Sequence, residues 1–209
     1  MKIVLFGASG KVGRIVLQEL LSRGHEVIAF TRSALRYDGP AGRLDSVLGD
    51  VFDAAAVAVA IQNTDCVVST LGSWGTATQD VLSRGTEHII AGMQQHGVNR
   101  ILTLTGSDAW LDHEENDVTR QLLHQFFSLI APKIIQDGER HMAILQASRT
   151  DWTVVRSPVM SRWGGPNYRL LAKPTGMISV VPRRAVAQAM ADLAEQQAWV
   201  RRAPFIHRG

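Results

Sequence analysis

Short apolar runs rich in β-branched residues recur through the first half of the chain, at Lys2–Phe6, Glu26–Phe30, Ser46–Leu48, Cys66–Leu71 and Arg100–Leu104. Between them the apolar positions change to helical spacing. Val12, Ile15, Val16, Glu19 and Leu20 mark one stripe, and Val81, Ile89, Ile90 and Met93 mark another. Strands that alternate with helices predict βαβ units and a parallel sheet. The runs lack polar alternation, as expected where helices cover both faces of a sheet. Gly24 and Gly97 each follow a helical stretch as C′ residues, and Asp53 stands as an N-cap before an Ala/Val-rich segment.

After Thr105 the rhythm loosens. A helix is predicted over 114–130, and Pro132 separates it from a second over 133–148. Trp152–Arg156 reads as a sixth strand. Residues 157–177 carry three prolines and three glycines and read as a long irregular loop, a lid or substrate loop. Ile178–Val181 is a short strand, and Arg183–Gln197 a last helix opened by Pro182. The expected fold class is α/β: a doubly wound parallel sheet in three αβα layers. It forms a single domain over 1–209 with a small C-terminal substrate-side loop region.

Composition narrows this little. A net charge of +3 and a pI near 9.4 come from scattered basic residues, without the Lys/Arg block of a nucleic-acid arm. Cys66 is the one cysteine and lies in an apolar run, so a buried inert thiol is expected and a Cys-rich metal site is not. No signal h-region is visible, and no apolar run approaches the roughly 20 residues that span a bilayer. The expectation is a cytoplasmic protein, monomer or homodimer, with no membrane or nucleic-acid partner.

The chemistry concentrates on Gly7-Ala8-Ser9-Gly10-Lys11-Val12-Gly13, a G-x-x-G-x-x-G run between the first strand and the first helix. The first glycine permits a tight turn. The second lets backbone approach a pyrophosphate, and the third lets helix pack on strand. The helix N-terminus then offers free N–H groups and the positive end of its dipole. This is a dinucleotide site. NAD binders usually place an acid at the end of the second strand to hold the ribose 2′-OH. That position here reads Thr31-Arg32-Ser33, and Arg32 suits a 2′-phosphate, so NADP(H) is the expected cofactor. Other strand ends supply Asp50 and Val51 beside the adenine, Leu71, Gly72 and Ser73 along the ribose, and Thr105, Ser107 and Pro158 near the nicotinamide.

The glycine loop, Gly49-Asp50, the Asp65–Gly72 strand and the Asp151-Trp152-Thr153-Val154-Val155-Arg156-Ser157-Pro158 strand resemble the atypical short-chain dehydrogenase/reductases. Within these, the chain is similar to the short NAD(P)H-binding group that includes biliverdin/flavin reductases and NmrA-like proteins, over roughly residues 1–195. The resemblance implies a Rossmann fold, NADP(H), and a small-molecule planar acceptor such as a flavin or quinone. Two departures stand out. The Tyr-x-x-x-Lys acid pair is absent, since Ala41 follows Tyr37 and Ala172 follows Tyr168 at the lysine position. The His that follows the sixth-strand proline in biliverdin/flavin reductases is Val159 here.

Ser107 is placed to hydrogen-bond a substrate oxygen or the carboxamide, and equally to cap the turn with Asp108. His141, Arg140 and His113 face either the site or solvent. Ser107 and His141 stand as the catalytic candidates. Trp110, Trp163 and Tyr168 either stack on a flat acceptor or pack a lid. No His/Cys cluster has metal-ligand spacing, so no metal is expected. Three functions follow: an NADPH-dependent reductase of planar acceptors; an NmrA-like NADP(H) sensor without turnover, the reading that the missing acids support; and an isomerase or epimerase that retains its cofactor, which the missing Tyr disfavours.

Overall fold

The computed structural model describes all residues except 36, 38–42, 73–77, 79, 112–120, 122–123, 126–127 and 175–178. The expected elements form, with small shifts of boundary. They are β1 (Lys2–Phe6), α1 (Gly13–Ser22), β2 (Glu26–Thr31), β3 (Leu44–Leu48), α2 (Ala54–Ile61), β4 (Cys66–Ser69), α3 (Val81–His96) and β5 (Arg100–Gly106). After these come α4 (Pro132–Ala147), β6 (Asp151–Ser157), β7 (Val159–Ser161), β8 (Tyr168–Leu171), β9 (Val180–Pro182), α5 (Arg183–Glu195) and β10 (Phe205–Arg208). Of the helix expected over 114–130, the described residues Gln121, His124, Gln125, Ser128, Leu129 and Ile130 are helical, and the rest lie outside the described residues.

The main sheet has eight strands in the order β3-β2-β1-β4-β5-β6-β10-β8. It is parallel except for β8, which runs antiparallel to β10. This is the doubly wound Rossmann order, with two strands added beyond β6. Its direction of winding reverses between β1 and β4, so the C-terminal ends of those strands face the crevice where such sheets hold ligands.

Helices α1 and α5 pack together on one face, and α2, α3 and α4 on the other. The continuous apolar strands are explained by this double cover. In β1, Ile3 and Leu5 enter the α1/α5 core, whereas Val4 and Phe6 enter the opposite core. Asp53 caps α2 through bonds from the amides of Ala55 (3.0 Å) and Ala56 (3.1 Å). Gly97 closes α3 with a left-handed φ of 69°. Arg23 at the end of α1 pairs with Glu19 (3.0 Å), Asp192 (2.7 Å) and Glu195 (3.0 Å), fastening α1 to α5.

One expectation is corrected. Residues 157–177 are not a wholly irregular loop: they contain β7 and β8. β7 pairs with β9 in a separate two-stranded sheet, and β8 forms the edge of the main one. These strands and β10 have three or four residues each and owe their ladders to partners distant in sequence, so no local period marks them.

The buried Asp137 of α4 holds the start of α3. Its carboxylate accepts from the amides of Leu82 (3.1 Å) and Ser83 (2.8 Å), a helix cap supplied by a different helix. Asp137→Ala leaves those amides unpaired in the interior. We expect a loss of about 2 to 3 kcal/mol, read as a lower urea midpoint at constant m-value.

Candidate functional site

The loop after β1 is built by close contact. Gly7 has a φ of +78°, and its carbonyl accepts from the Gly10 amide at 2.9 Å. A Cβ at Gly13 would overlap the Gly7 carbonyl and reach 2.8 Å from Thr70 Oγ1. Thr70, just beyond β4, donates to the Phe6 (3.1 Å) and Gly7 (3.2 Å) carbonyls and so ties β4 to the loop. Sequence reasoning passed over Thr70. The available signal was a hydroxyl pair, Ser69-Thr70, closing an otherwise apolar strand.

α1 begins without a side-chain cap and without an acid in its first turn. Among the described residues, the amides of Lys11, Val12 and Gly13 have no hydrogen-bond partner. Ser9, Gly10 and Lys11 are exposed, whereas Ala8, Val12 and Gly13 are buried beneath them. An uncapped helix start above a glycine cradle fits a pyrophosphate, because free N–H groups and the helix dipole both favour negative charge there.

The other expected residues stand at the same edge of the sheet. Thr31 is buried, and its hydroxyl donates to the Ser33 carbonyl at 2.8 Å, curling the chain so that Arg32 is exposed. Asp50 is exposed, and its Oδ1 accepts from the Phe52 amide at 3.0 Å. Val51 is buried, and its carbonyl accepts from Nδ1 of His88 on α3 at 2.7 Å, a contact with no local signal around His88. Leu71 is half-buried and Gly72 exposed, and Ser73 lies outside the described residues. Thr105 is buried at the end of β5. Ser107 is half-buried, and its amide bonds the Ser157 carbonyl at 2.9 Å, which fastens it beside Pro158.

His141 belongs elsewhere. It is fully buried between α3 and β5, 2.9 Å from both Thr86 Oγ1 and Thr103 Oγ1. Thr86 spends its hydroxyl proton on the Leu82 carbonyl, so His141 donates to it from Nδ1 and accepts from Thr103 at Nε2. Burial pushes its pKa down to about 4, against a smaller upward pull from Asp137. With both ring nitrogens engaged and no exposed surface, His141 is a neutral core residue rather than a catalytic one.

Tyr168 likewise turns away from the site. Its hydroxyl donates to Asp192 Oδ2 at 2.6 Å, and burial followed by that bond raises its pKa, opposite to what an acid catalyst requires. Burial also pushes the Cys66 thiol up to about 12, which makes it inert. Arg140 is exposed, and His113 lies outside the described residues. Among the described residues, no three His, Cys, Asp or Glu side chains gather as a metal site, and no helix is long and apolar enough to cross a membrane.

A family model described as NAD(P)H-binding matches residues 7–197, starting on the first glycine of the cradle. The chain belongs to this NAD(P)H-binding family. Solved structures similar to the chain share its whole architecture. ChuY, an anaerobillin reductase from Escherichia coli O157:H7, is 21% identical with a TM-score of 0.81, over 100% of this chain and 97% of that one. A short-chain dehydrogenase/reductase from Veillonella parvula DSM 2008, solved with NADP, is 16% identical with a TM-score of 0.80, over 99% of this chain and 94% of that one. At these identities the likeness concerns the fold. Among curated proteins, a 2-alkyl-3-oxoalkanoate reductase of Stenotrophomonas maltophilia (strain K279a) is 32% identical over 107 residues, 49% of this chain. The match spans only 32% of that relative's length. The chain therefore carries an NAD(P)H-binding domain, and the proteins it is similar to include named reductases.

Two outcomes follow from the geometry. Gly13→Ala forces α1 off the Gly7 carbonyl, and NADPH affinity measured by calorimetry should fall at least about a hundredfold, since several phosphate contacts are displaced together. His141 titrates near 6.5 when unfolded and near 4 when folded, so the unfolded state binds the extra proton. Stability is then full above pH 6.5 and declines as pH falls toward 4, by about 3 kcal/mol in all. Denaturation of a His141→Gln variant across that range should lack this component.

Proposed function

We propose that the chain uses NADPH to reduce a planar, largely apolar acceptor such as a flavin or quinone. The observation that carries this reading is the apolar surface left open on the segments that follow β5 and β6. Val159 (70% exposed) and Val180 (50%) pair directly across the small β7–β9 sheet, and Trp163 (71%) lies just beyond. Leu129 (83%) and Ile130 (64%) are equally bare in the segment after β5. Exposed apolar side chains on the segments between β5 and α5 suit a flat hydrophobic partner.

The residues have distinct tasks in this reading. The amides of Lys11, Val12 and Gly13 hold the pyrophosphate. Arg32 pairs with the 2′-phosphate, with Thr31 fixing its turn, and selects NADPH over NADH. Asp50 and Val51 meet the adenine, and Leu71 and Gly72 run beside the ribose. Ser107, Thr105 and Pro158 border the nicotinamide, which supplies a hydride when bound. The candidate acids Tyr168 and His141 are both engaged elsewhere, Tyr168 with Asp192 and His141 with Thr86 and Thr103 in the core. A flavin or quinone meets this limit, because solvent can protonate the ring after the hydride arrives. A ketone does not.

The same shortage of acids favours a second reading, in which the chain binds NADP(H) and signals its redox state to a partner without turnover.

NADPH oxidation followed with FMN and simple quinones, beside titrations of NADPH and NADH, separates the two. Turnover with at least one flat acceptor is expected. Tight NADPH binding with no oxidation by any acceptor would overturn the reductase and leave the sensor. Arg32→Ala should lose roughly tenfold to a hundredfold in NADPH affinity with NADH affinity unchanged, the scale of one or two charge-assisted hydrogen bonds. An unchanged preference would remove Arg32 from the 2′-phosphate.

A further inference from the structure

Helix α3 grips the turn after β3 at three points. Gly85 brings the helix so close that a Cβ there would lie 3.5 Å from Val51 Cβ and 2.9 Å from Leu71 Cδ1. The Arg84 guanidinium sits 4.5 Å above the centre of the Phe52 ring. One turn further on, His88 Nδ1 meets the Val51 carbonyl at 2.7 Å. A carbonyl only accepts, so Nδ1 carries the proton and donates, in the neutral and the protonated ring alike.

The consequence falls on one peptide unit. The bond between Val51 and Phe52 is held on both sides: its carbonyl by His88, and its N–H by Asp50 Oδ1 at 3.0 Å. The Asp50 carbonyl is also taken, by the Asp53 amide at 2.9 Å. What remains for a ligand is the Val51 amide, which has no partner among the described residues, and the second carboxylate oxygen of the exposed Asp50. One donor and one acceptor side by side on a locked turn match the edge of an adenine, which offers a ring nitrogen and an amino group.

We propose that His88 is a positioning residue for the adenine half of the cofactor. It draws the Val51 carbonyl inward, which fixes Asp50 and leaves the Val51 N–H outward. Without it, the 51–52 peptide is held only through its N–H by Asp50, and the donor–acceptor pair keeps its register less tightly. This rests on the assignment of Asp50 and Val51 to the adenine. The placement is specific, because Gly85 and His88 lie on one face of α3 and their contacts converge on Val51.

The test is calorimetric titration of the wild type, His88→Ala and His88→Asn with two probes, adenosine 2′,5′-bisphosphate and nicotinamide mononucleotide. Asn retains an N–H donor at nearly the reach of Nδ1. We expect His88→Ala to bind the adenine probe roughly tenfold more weakly, with less than about a twofold change for the nicotinamide probe, and His88→Asn to recover most of the loss. Hydrogen exchange at the Phe52 amide should quicken in His88→Ala alone. If the wild type does not bind the adenosine bisphosphate, the cofactor assignment and this proposal fall together. If the wild type binds it and His88→Ala binds it equally well, only the role of His88 falls. Equal weakening of both probes, or no recovery with Asn, reduces His88 to a general folding contact and also overturns the proposal. Should His88→Ala not fold, His88→Leu set against His88→Asn provides the same contrast.

Discussion

Gly13 stands so near the Gly7 carbonyl that a methyl group does not fit between them, and the rest of the ligand edge depends on that contact. It lets α1 start directly above the end of β1, at the point where the sheet reverses its winding. With no side-chain cap and no acid in its first turn, the helix keeps its free amides and its dipole directed at the crevice. Thr70 completes the arrangement from the neighbouring strand by binding the Phe6 and Gly7 carbonyls. The cradle is thus a joint between β1, β4 and α1, and any ligand there senses all of them.

A second set of buried polar contacts keeps the far side in step. Asp137 caps α3 from α4, and His141 bridges α3 to β5 through Thr86 and Thr103. Groups like these are costly to desolvate and persist only when paired, so each fixes the relative position of two elements more narrowly than apolar packing does. Because α3 also carries the residues that grip Val51, the position of α3 bears directly on the turn beside the cofactor site.

The free amides at the start of α1 and the exposed Arg32 after β2 both suit an anion. Two of the polar groups that could do acid–base work are withdrawn: His141 into the core and Tyr168 onto Asp192. An acceptor that takes a hydride without a protein proton donor suits such a site, and a regulator that only holds the cofactor suits it as well.

The sequence by itself determined the strand–helix alternation, the glycine loop and its ligand class, the cap at Asp53 and the helix stop at Gly97. Each of these depends on neighbours within a few residues, where apolar period, side-chain capping and tolerance of positive φ act locally. Only the tertiary structure decided the fate of His141, since its burial comes from α3 and β5, whose contacting residues are 55 and 38 residues away along the chain. It also decided that 157–177 contains strands, because β7 and β8 exist through β9 and β10. Asp137 and His88 were invisible for the same reason. Each is an ordinary polar residue in its own segment, and its partner is chosen by how the sheet brings distant segments together.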